Sequence, residues 1–171
     1  MTNERLEVIT AGRHYLIYVD GACRGNPGPG GWGAIIQLRE GATILRKREL
    51  SGSELSETTN NRMEMTAAIK ALERVVEKQT PVLIRSDSEV LIKGMTQWMP
   101  TWKTHGWRTA KGKGDFVKNP DLWEQLDKMA QLFPSLEWQW VRGHSGDSLN
   151  ERCDHLAGAA INAALARKEA A

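Results

Sequence analysis

His14-Tyr15-Leu16-Ile17-Tyr18-Val19-Asp20-Gly21 is a short aromatic and β-branched run that stops at a carboxylate and a glycine. Six residues of this composition read as a buried strand, and Asp-Gly reads as its end. Downstream, Gly25-Asn26-Pro27-Gly28-Pro29-Gly30-Gly31 is a turn, and Trp32 to Leu38 and Thr43 to Leu50 are two more strands joined through Arg39-Glu40-Gly41-Ala42. The short connection predicts a hairpin, so the first three strands form an antiparallel meander. Polar Ser51 to Thr59 reads as a loop. Met65, Ala68, Ile69, Leu72, Val75 and Val76 then recur at helical spacing, predicting a helix over 61–78 with Thr59 or Asn60 as its N-cap. Pro81 to Arg85 is a second buried strand, stopping at Ser86-Asp87. Ser88 to Trp102 is helical with a break at Pro100, and Pro120 to Leu132 forms another helix. Leu136 to Val141 is the fifth strand, and Asn150 to Ala166 is a closing Ala-rich helix. Residues 1–12 lack periodicity and 167–171 lie beyond the closing helix, so both ends are expected to fray around a domain of 13–166. The order βββαβα(α)αβα predicts an α/β fold, a five-stranded mixed sheet flanked by helices.

At 171 residues, 40% of them hydrophobic and 26% charged, the chain suits one folded domain and is neither disordered nor fibrous. No apolar run reaches the ~18–20 residues of a membrane helix, and Met1-Thr2-Asn3-Glu4-Arg5 begins no secretory signal. Cys23 and Cys153 are too few for a disulfide scaffold and read as buried thiols. These features predict a cytoplasmic protein without membrane contact, and one domain with a single cleft predicts a monomer. The net charge is only +2, so any nucleic-acid affinity has to be local. It is concentrated between Lys93 and Lys118, where Lys93, Lys103, Arg108, Lys111, Lys113 and Lys118 face Asp115 alone and Trp98, Trp102 and Trp107 interleave. Bases with aromatics suit a sugar–phosphate backbone.

Asp20 and Asp87 each end an apolar strand. If those strands are parallel neighbours, both carboxylates meet at the sheet edge where open α/β sheets bind ligands. Glu64 borders the apolar stripe of its helix, and Asp154 follows Cys153 on another, from which it is expected to project inward. Taken singly, each acid reads equally as a cap, a turn acid or a surface charge. Four carboxylates converging in a low dielectric repel strongly unless a cation joins them, and hard oxygen donors select magnesium or manganese over zinc. His144, in Gly143-His144-Ser145-Gly146, stands on a flexible loop and is a proton-handling candidate. The glycine-rich turn at 25–30 lacks the Gly-Lys-Ser/Thr ending of a phosphate-binding loop and opens a strand.

Five ordered blocks carry a resemblance that spans residues 14–162. They are Tyr18-Val19-Asp20-Gly21-Ala22-Cys23 with the turn to Gly31, Thr59-Asn60-Asn61-Arg62-Met63-Glu64, Ser86-Asp87-Ser88, Thr96-Gln97-Trp98 with Trp102, and Val141-Arg142-Gly143-His144 with Asn150-Glu151-Arg152-Cys153-Asp154. In these the chain resembles bacterial type 1 ribonuclease H. The resemblance implies a single-domain ribonuclease H-like fold and an endonuclease that cuts the RNA strand of RNA–DNA hybrids, leaving 3′-hydroxyl and 5′-phosphate ends. It implies Asp20, Glu64, Asp87 and Asp154 as metal ligands, two Mg2+ in the substrate complex with Mn2+ as substitute, and His144 as the proton handler. It further implies Cys23, Asn26, Thr59, Asn60, Asn61, Trp98, Trp102 and Lys103 as contacts to the two strands. Two departures stand out. Glu89 occupies a position where a bacterial member of the family carries Gln, and a carboxylate there cannot donate a hydrogen bond. The Ser51–Glu57 segment is acidic and longer than usual. A different nuclease on the same fold, such as a junction resolvase or an integrase-like transferase, would also cluster carboxylates but does not call for the Trp-bearing basic segment. A non-catalytic hybrid-binding module would not need all four acids.

Overall fold

Strand β1 (Arg13–Cys23) is the center of a five-stranded sheet because its side chains are apolar on both faces, with every residue from His14 to Asp20 buried. In the computed structural model, which describes residues 3–171, β1 pairs antiparallel with β2 (Gly28–Glu40), and β2 with β3 (Thr43–Thr58). On its other side β1 runs parallel to β4 (Val82–Ser86), and β4 parallel to β5 (Leu136–Trp140), giving the order β3-β2-β1-β4-β5. Helix α2 (Asn60–Glu73) covers one face of the sheet together with α5 (Pro120–Ala130), over a core that includes Ile17, Val19, Met65, Ile69, Leu72, Ile84 and Trp123. Helix α6 (Ser148–Ala170) covers the other, over Leu16, Tyr18, Ile35, Leu83 and Cys153. Alternation along β1 sends Tyr15, Ile17 and Val19 to the first face and Leu16, Tyr18 and Asp20 to the second. Among the described residues, no helix is long and apolar enough to cross a membrane.

Five local expectations change. The start of the chain, expected to fray, forms helix α1 (Asn3–Ala11); Met1 and Thr2 lie outside the described residues. Two apolar contacts dock it: Ile9 is buried and Leu6 packs on the second core, while Arg5 pairs with Glu137 of β5. The polar stretch 51–58, expected as a loop, continues β3, because β2 begins as early as Gly28 and pairs Trp32 with Gly52, Gly31 with Ser53 and Gly30 with Glu54. A register shift between Gly28 and Gly30 takes up the additional residues of this segment, so its extra length becomes a bulge next to Thr58. Helix α2 stops at Glu73 and not at 78, and Lys78 Nζ folds back to donate to the carbonyls of Leu72 and Val75 just past the turn. Pro100 does not break its helical stretch: after α3 (Glu89–Lys93) a π turn over Gly94–Trp98 leads into α4 (Met99–Thr104), where Pro100 sits in the first turn and needs no intrahelical donor. Helix α6 extends to Ala170, with Arg167 and Lys168 favorably placed at the negative end of its dipole.

Candidate active site

The parallel register of β1 on β4 pairs Tyr18 with Arg85, and two residues further along it brings Asp20 beside Asp87 at the carboxyl ends of both strands. Glu64, in the second turn of α2, reaches the same point because the backbone of Gly21 packs directly on that of Met63 and Glu64. A Cβ at Gly21 would overlap the Glu64 amide. One oxygen from each of Asp20, Glu64 and Asp87 lies within 4.8 Å of the other two.

Burial and neighboring negative charge raise the proton affinity of Asp20 and Glu64. Asp20 is 7% exposed, and burial, followed by the charges of Asp87, Asp154 and Glu64, pushes its carboxyl up to about 8, against one lowering bond from the Gly21 amide at 2.7 Å. Glu64 is pushed up to about 7, first by burial and also by Asp87, with a hydrogen bond to Ser88 opposing. Glu64 Oε2 is buried and finds no donor among the described residues. An orphaned oxygen on a buried carboxylate that meets two more acids is a feature that proteins retain for a ligand, because left alone it is destabilizing. The donor set is all oxygen, and it fits a hard divalent cation.

Asp154 differs from the expectation that it projects inward. The buried stripe of α6 is Asn150, Cys153, Ala157, Ile161 and Ala164, so Asp154 falls one position beyond it and is exposed. It stands outside the three-carboxylate group yet near enough to act on Asp20. His144 is exposed on the turn before α6, with a left-handed φ of 50°.

Sequence reasoning did not single out the groups that hold Asp87. Asn150, buried at 3% exposure, donates from Nδ2 to Asp87 Oδ2 at 3.1 Å, and the Trp140 indole donates to the Asp87 carbonyl at 3.0 Å. Gly143 passes so close that an added Cβ would stand 2.7 Å from Asp87 Oδ2. An asparagine on the apolar stripe of a helix was the readable signal for Asn150; the approach of Gly143 leaves none.

Comparison with known proteins gives the site its family. The RNase H family model matches residues 12–162. The chain is 48% identical over 169 residues to a ribonuclease H of Polaromonas naphthalenivorans, covering 98% of this chain and 99% of that one. It is 51% identical over 142 residues to the ribonuclease HI of Pseudomonas aeruginosa, covering 83% of this chain and 89% of the relative. The chain belongs to the ribonuclease H family. Among solved structures, LC9-RNase H1, described as a type 1 RNase H with the type 2 active-site motif, superposes with a TM-score of 0.77 at 33% identity over 89% of this chain and 74% of that one. LC11-RNase H1 in complex with RNA/DNA hybrid gives a TM-score of 0.61 at 32% identity, over 88% of this chain and 99% of the other.

The remaining candidates of this chain fall in two groups. Asn26 Oδ1 accepts from the Asn60 amide at 3.0 Å, joining the glycine-rich turn to the start of α2. Thr59 caps that helix, its hydroxyl accepting from the Arg62 amide, and Asn61 follows in the first turn. Cys23 Sγ donates toward the carbonyls of Gly28 and Thr58 nearby. In the second group Trp98 stands 5.5 Å from Trp102, which in turn stands 5.2 Å from the fully buried Trp123. Trp98, 36% exposed, is therefore the outer member of a row of tilted rings anchored in the core.

The basic segment is less free than its composition implies. Lys93 pairs with Glu89 at 2.6 Å and Lys103 with Asp127 of α5 at 2.9 Å. Arg108 lies over the Phe116 ring at 4.0 Å and donates to the Gly114 carbonyl. Lys111, Lys113 and Lys118 make no ion pair among the described residues and are exposed.

Proposed function

We propose that this chain hydrolyses the RNA strand of RNA–DNA hybrids, leaving 3′-hydroxyl and 5′-phosphate ends, as a monomer in the cytoplasm. The observation that carries the reading is the meeting of Asp20, Glu64 and Asp87 at the parallel strand ends with a buried, unpartnered Glu64 oxygen. Asp20, Glu64 and Asp87, with Asp154 at the edge, would hold Mg2+, two ions with substrate bound, and Mn2+ in its place. Bound divalent cations at such centers lower the pKa of attacking water and offset charge on the phosphate and the leaving oxygen.

The chain's own groups supply position and proton transfer. Asn150, Trp140 and the Gly143 backbone fix the carboxylate and carbonyl of Asp87, so it need not reorganize when substrate arrives. His144, exposed and next in the chain to Gly143, moves a proton at the water or at the departing 3′-oxygen. Asn60, Asn61 and the Cys23 region offer short polar groups near backbone, which suits the reading of 2′-hydroxyls, while the flat face of Trp98 suits a deoxyribose. Phosphate and sugar contacts carry no base identity, so cutting depends little on sequence.

Digestion of a labeled hybrid beside RNA–RNA and DNA–DNA duplexes and a four-way junction tests the reading. Cleavage confined to the RNA strand of the hybrid, abolished by EDTA, is the expected result; preference for the junction, or binding without products, overturns it. His144→Ala lowers turnover by roughly 100-fold, in the range of one lost proton-transfer group. Turnover within threefold of wild type across pH 6–9 would remove His144 from the chemistry. Changing Lys111, Lys113 and Lys118 together to Gln reduces the slope of log K against log salt by about 2–3, since each neutralized phosphate contact contributes about 0.7–0.9. An unchanged slope would mean that these lysines only solvate the loop.

A further inference from the structure

On the α6 side of the sheet, behind the carboxylates, lies a polar chain of buried and half-buried groups to which the reaction as described gives no task. The Tyr18 hydroxyl, on a side chain 3% exposed, donates to Asp147 Oδ2 at 2.8 Å and accepts from Arg85 Nη1 at 3.0 Å. Arg85 is itself held by Gln139 Oε1 at 2.7 Å and lies 5.8 Å from the Tyr18 ring. The chain thus joins β1, β4 and β5 to a single carboxylate.

That carboxylate is the N-cap of α6. Asp147 Oδ1 accepts from the amides of Leu149 at 3.1 Å and Asn150 at 3.4 Å, and its carbonyl accepts from Glu151 at 3.0 Å. The two oxygens have separate tasks: Oδ1 caps the helix and Oδ2 ties the cap to the sheet. A cap alone requires only the first. The tie fixes where the helix begins relative to β1 and β4. Just after the cap stands Asn150, bonded to Asp87, and just before it runs the turn Gly143–Gly146, whose first residue abuts Asp87 Oδ2 and whose second is His144. This turn holds two left-handed residues, His144 and Gly146, and has little packing of its own, so the cap is its one firm anchor on the helix side.

We infer that Tyr18, with Arg85 behind it, is a positioning residue that acts through Asp147 to set Asp87 and the His144 turn against the other carboxylates. A slack tie would let Asn150 and Gly143 shift by fractions of an ångström, which is enough to misalign a catalytic group without loosening substrate. The effect therefore falls on kcat and not on KM. The inference rests on the nuclease reading above.

The test compares wild type with Tyr18→Phe, Asp147→Ala, Asp147→Ser and the double variant Tyr18→Phe/Asp147→Ser on a labeled hybrid at saturating Mg2+. Amide hydrogen exchange over residues 143–150 is measured in the metal-free proteins. Tyr18→Phe lowers kcat about fivefold, leaves KM within twofold, and speeds exchange in that segment about tenfold. Serine keeps a cap acceptor but is too short for the Tyr18 hydroxyl. Asp147→Ser therefore regains the melting temperature lost in Asp147→Ala yet retains the low kcat, and adding Tyr18→Phe lowers it no further. If Tyr18→Phe turns over like wild type, or Asp147→Ser regains full kcat along with stability, the chain is a helix cap and nothing more. A wild-type protein inactive on hybrid defeats the nuclease reading instead, and unaltered exchange over 143–150 in Tyr18→Phe then defeats the tie on its own terms.

Discussion

Asp20→Asn lowers hybrid cleavage at saturating Mg2+ by at least about 1,000-fold, equivalent to roughly 4 kcal/mol of transition-state stabilization. The substitution is nearly isosteric, and the amide oxygen can still accept from the Gly21 amide as the carboxylate does at 2.7 Å, so circular dichroism stays that of wild type. What is lost is one of three carboxyl groups whose oxygens converge within 4.8 Å, and with it an anionic donor that a divalent cation would take there. Glu64→Gln and Asp87→Asn follow the same course. Asp154→Asn is milder because its side chain is exposed and outside the convergent group. Single-turnover assays over a range of Mg2+ concentration rank the four. Cleavage by Asp20→Asn within tenfold of wild type would place the cation site elsewhere.

What the sequence made legible follows the range over which each interaction acts. Continuous apolar runs flag β1 and β4 as buried on both faces, and the sequence left their adjacency as a condition that the order β3-β2-β1-β4-β5 meets. The meeting of Asp20 and Asp87 was readable on that condition, and Glu64 was readable from the helical stripe beside it. Asp154, expected to project inward, is exposed because a helix rotates 100° per residue and the buried stripe runs through Asn150 and Cys153, with the Asn150 amide bonded to Asp87. The strand 51–58 is polar and exposed along most of its length and shows no alternation; its pairing comes from the glycine-rich start of β2 across the ladder. Lys93 with Glu89 was visible as an i, i+4 pair, whereas Lys103 with Asp127 joins residues 24 apart and depends on how α4 packs on α5. Composition therefore overstated the free charge of the basic segment.

The same Asp20→Asn substitution that abolishes turnover stabilizes the metal-free protein at alkaline pH. The Asp20 carboxyl stands near 8 in the folded chain against an ordinary 3.8, and Glu64 near 7 against 4.5, both raised first by burial and then by their neighbors. A raised carboxyl holds its proton more tightly folded than unfolded, so its contribution is fully present below about pH 4 and is lost as pH climbs through 7 and 8. At 1.36 kcal/mol per pH unit, the Asp20 interval bounds the loss at about 5–6 kcal/mol; water entering the open cleft reduces it to about 2–3. At roughly 2–4 °C per kcal/mol for a chain of this size, Asp20→Asn melts about 5–10 °C above wild type in EDTA at pH 8.5. The difference closes near pH 4, where the wild-type carboxyls are protonated. It also narrows when saturating Mg2+ is added, because a cation that binds the folded wild type more tightly than the variant stabilizes it more. Equal melting temperatures at pH 8.5 without metal would show that the three carboxylates are not in conflict, and the charge argument for a cation at this site would fall with that result.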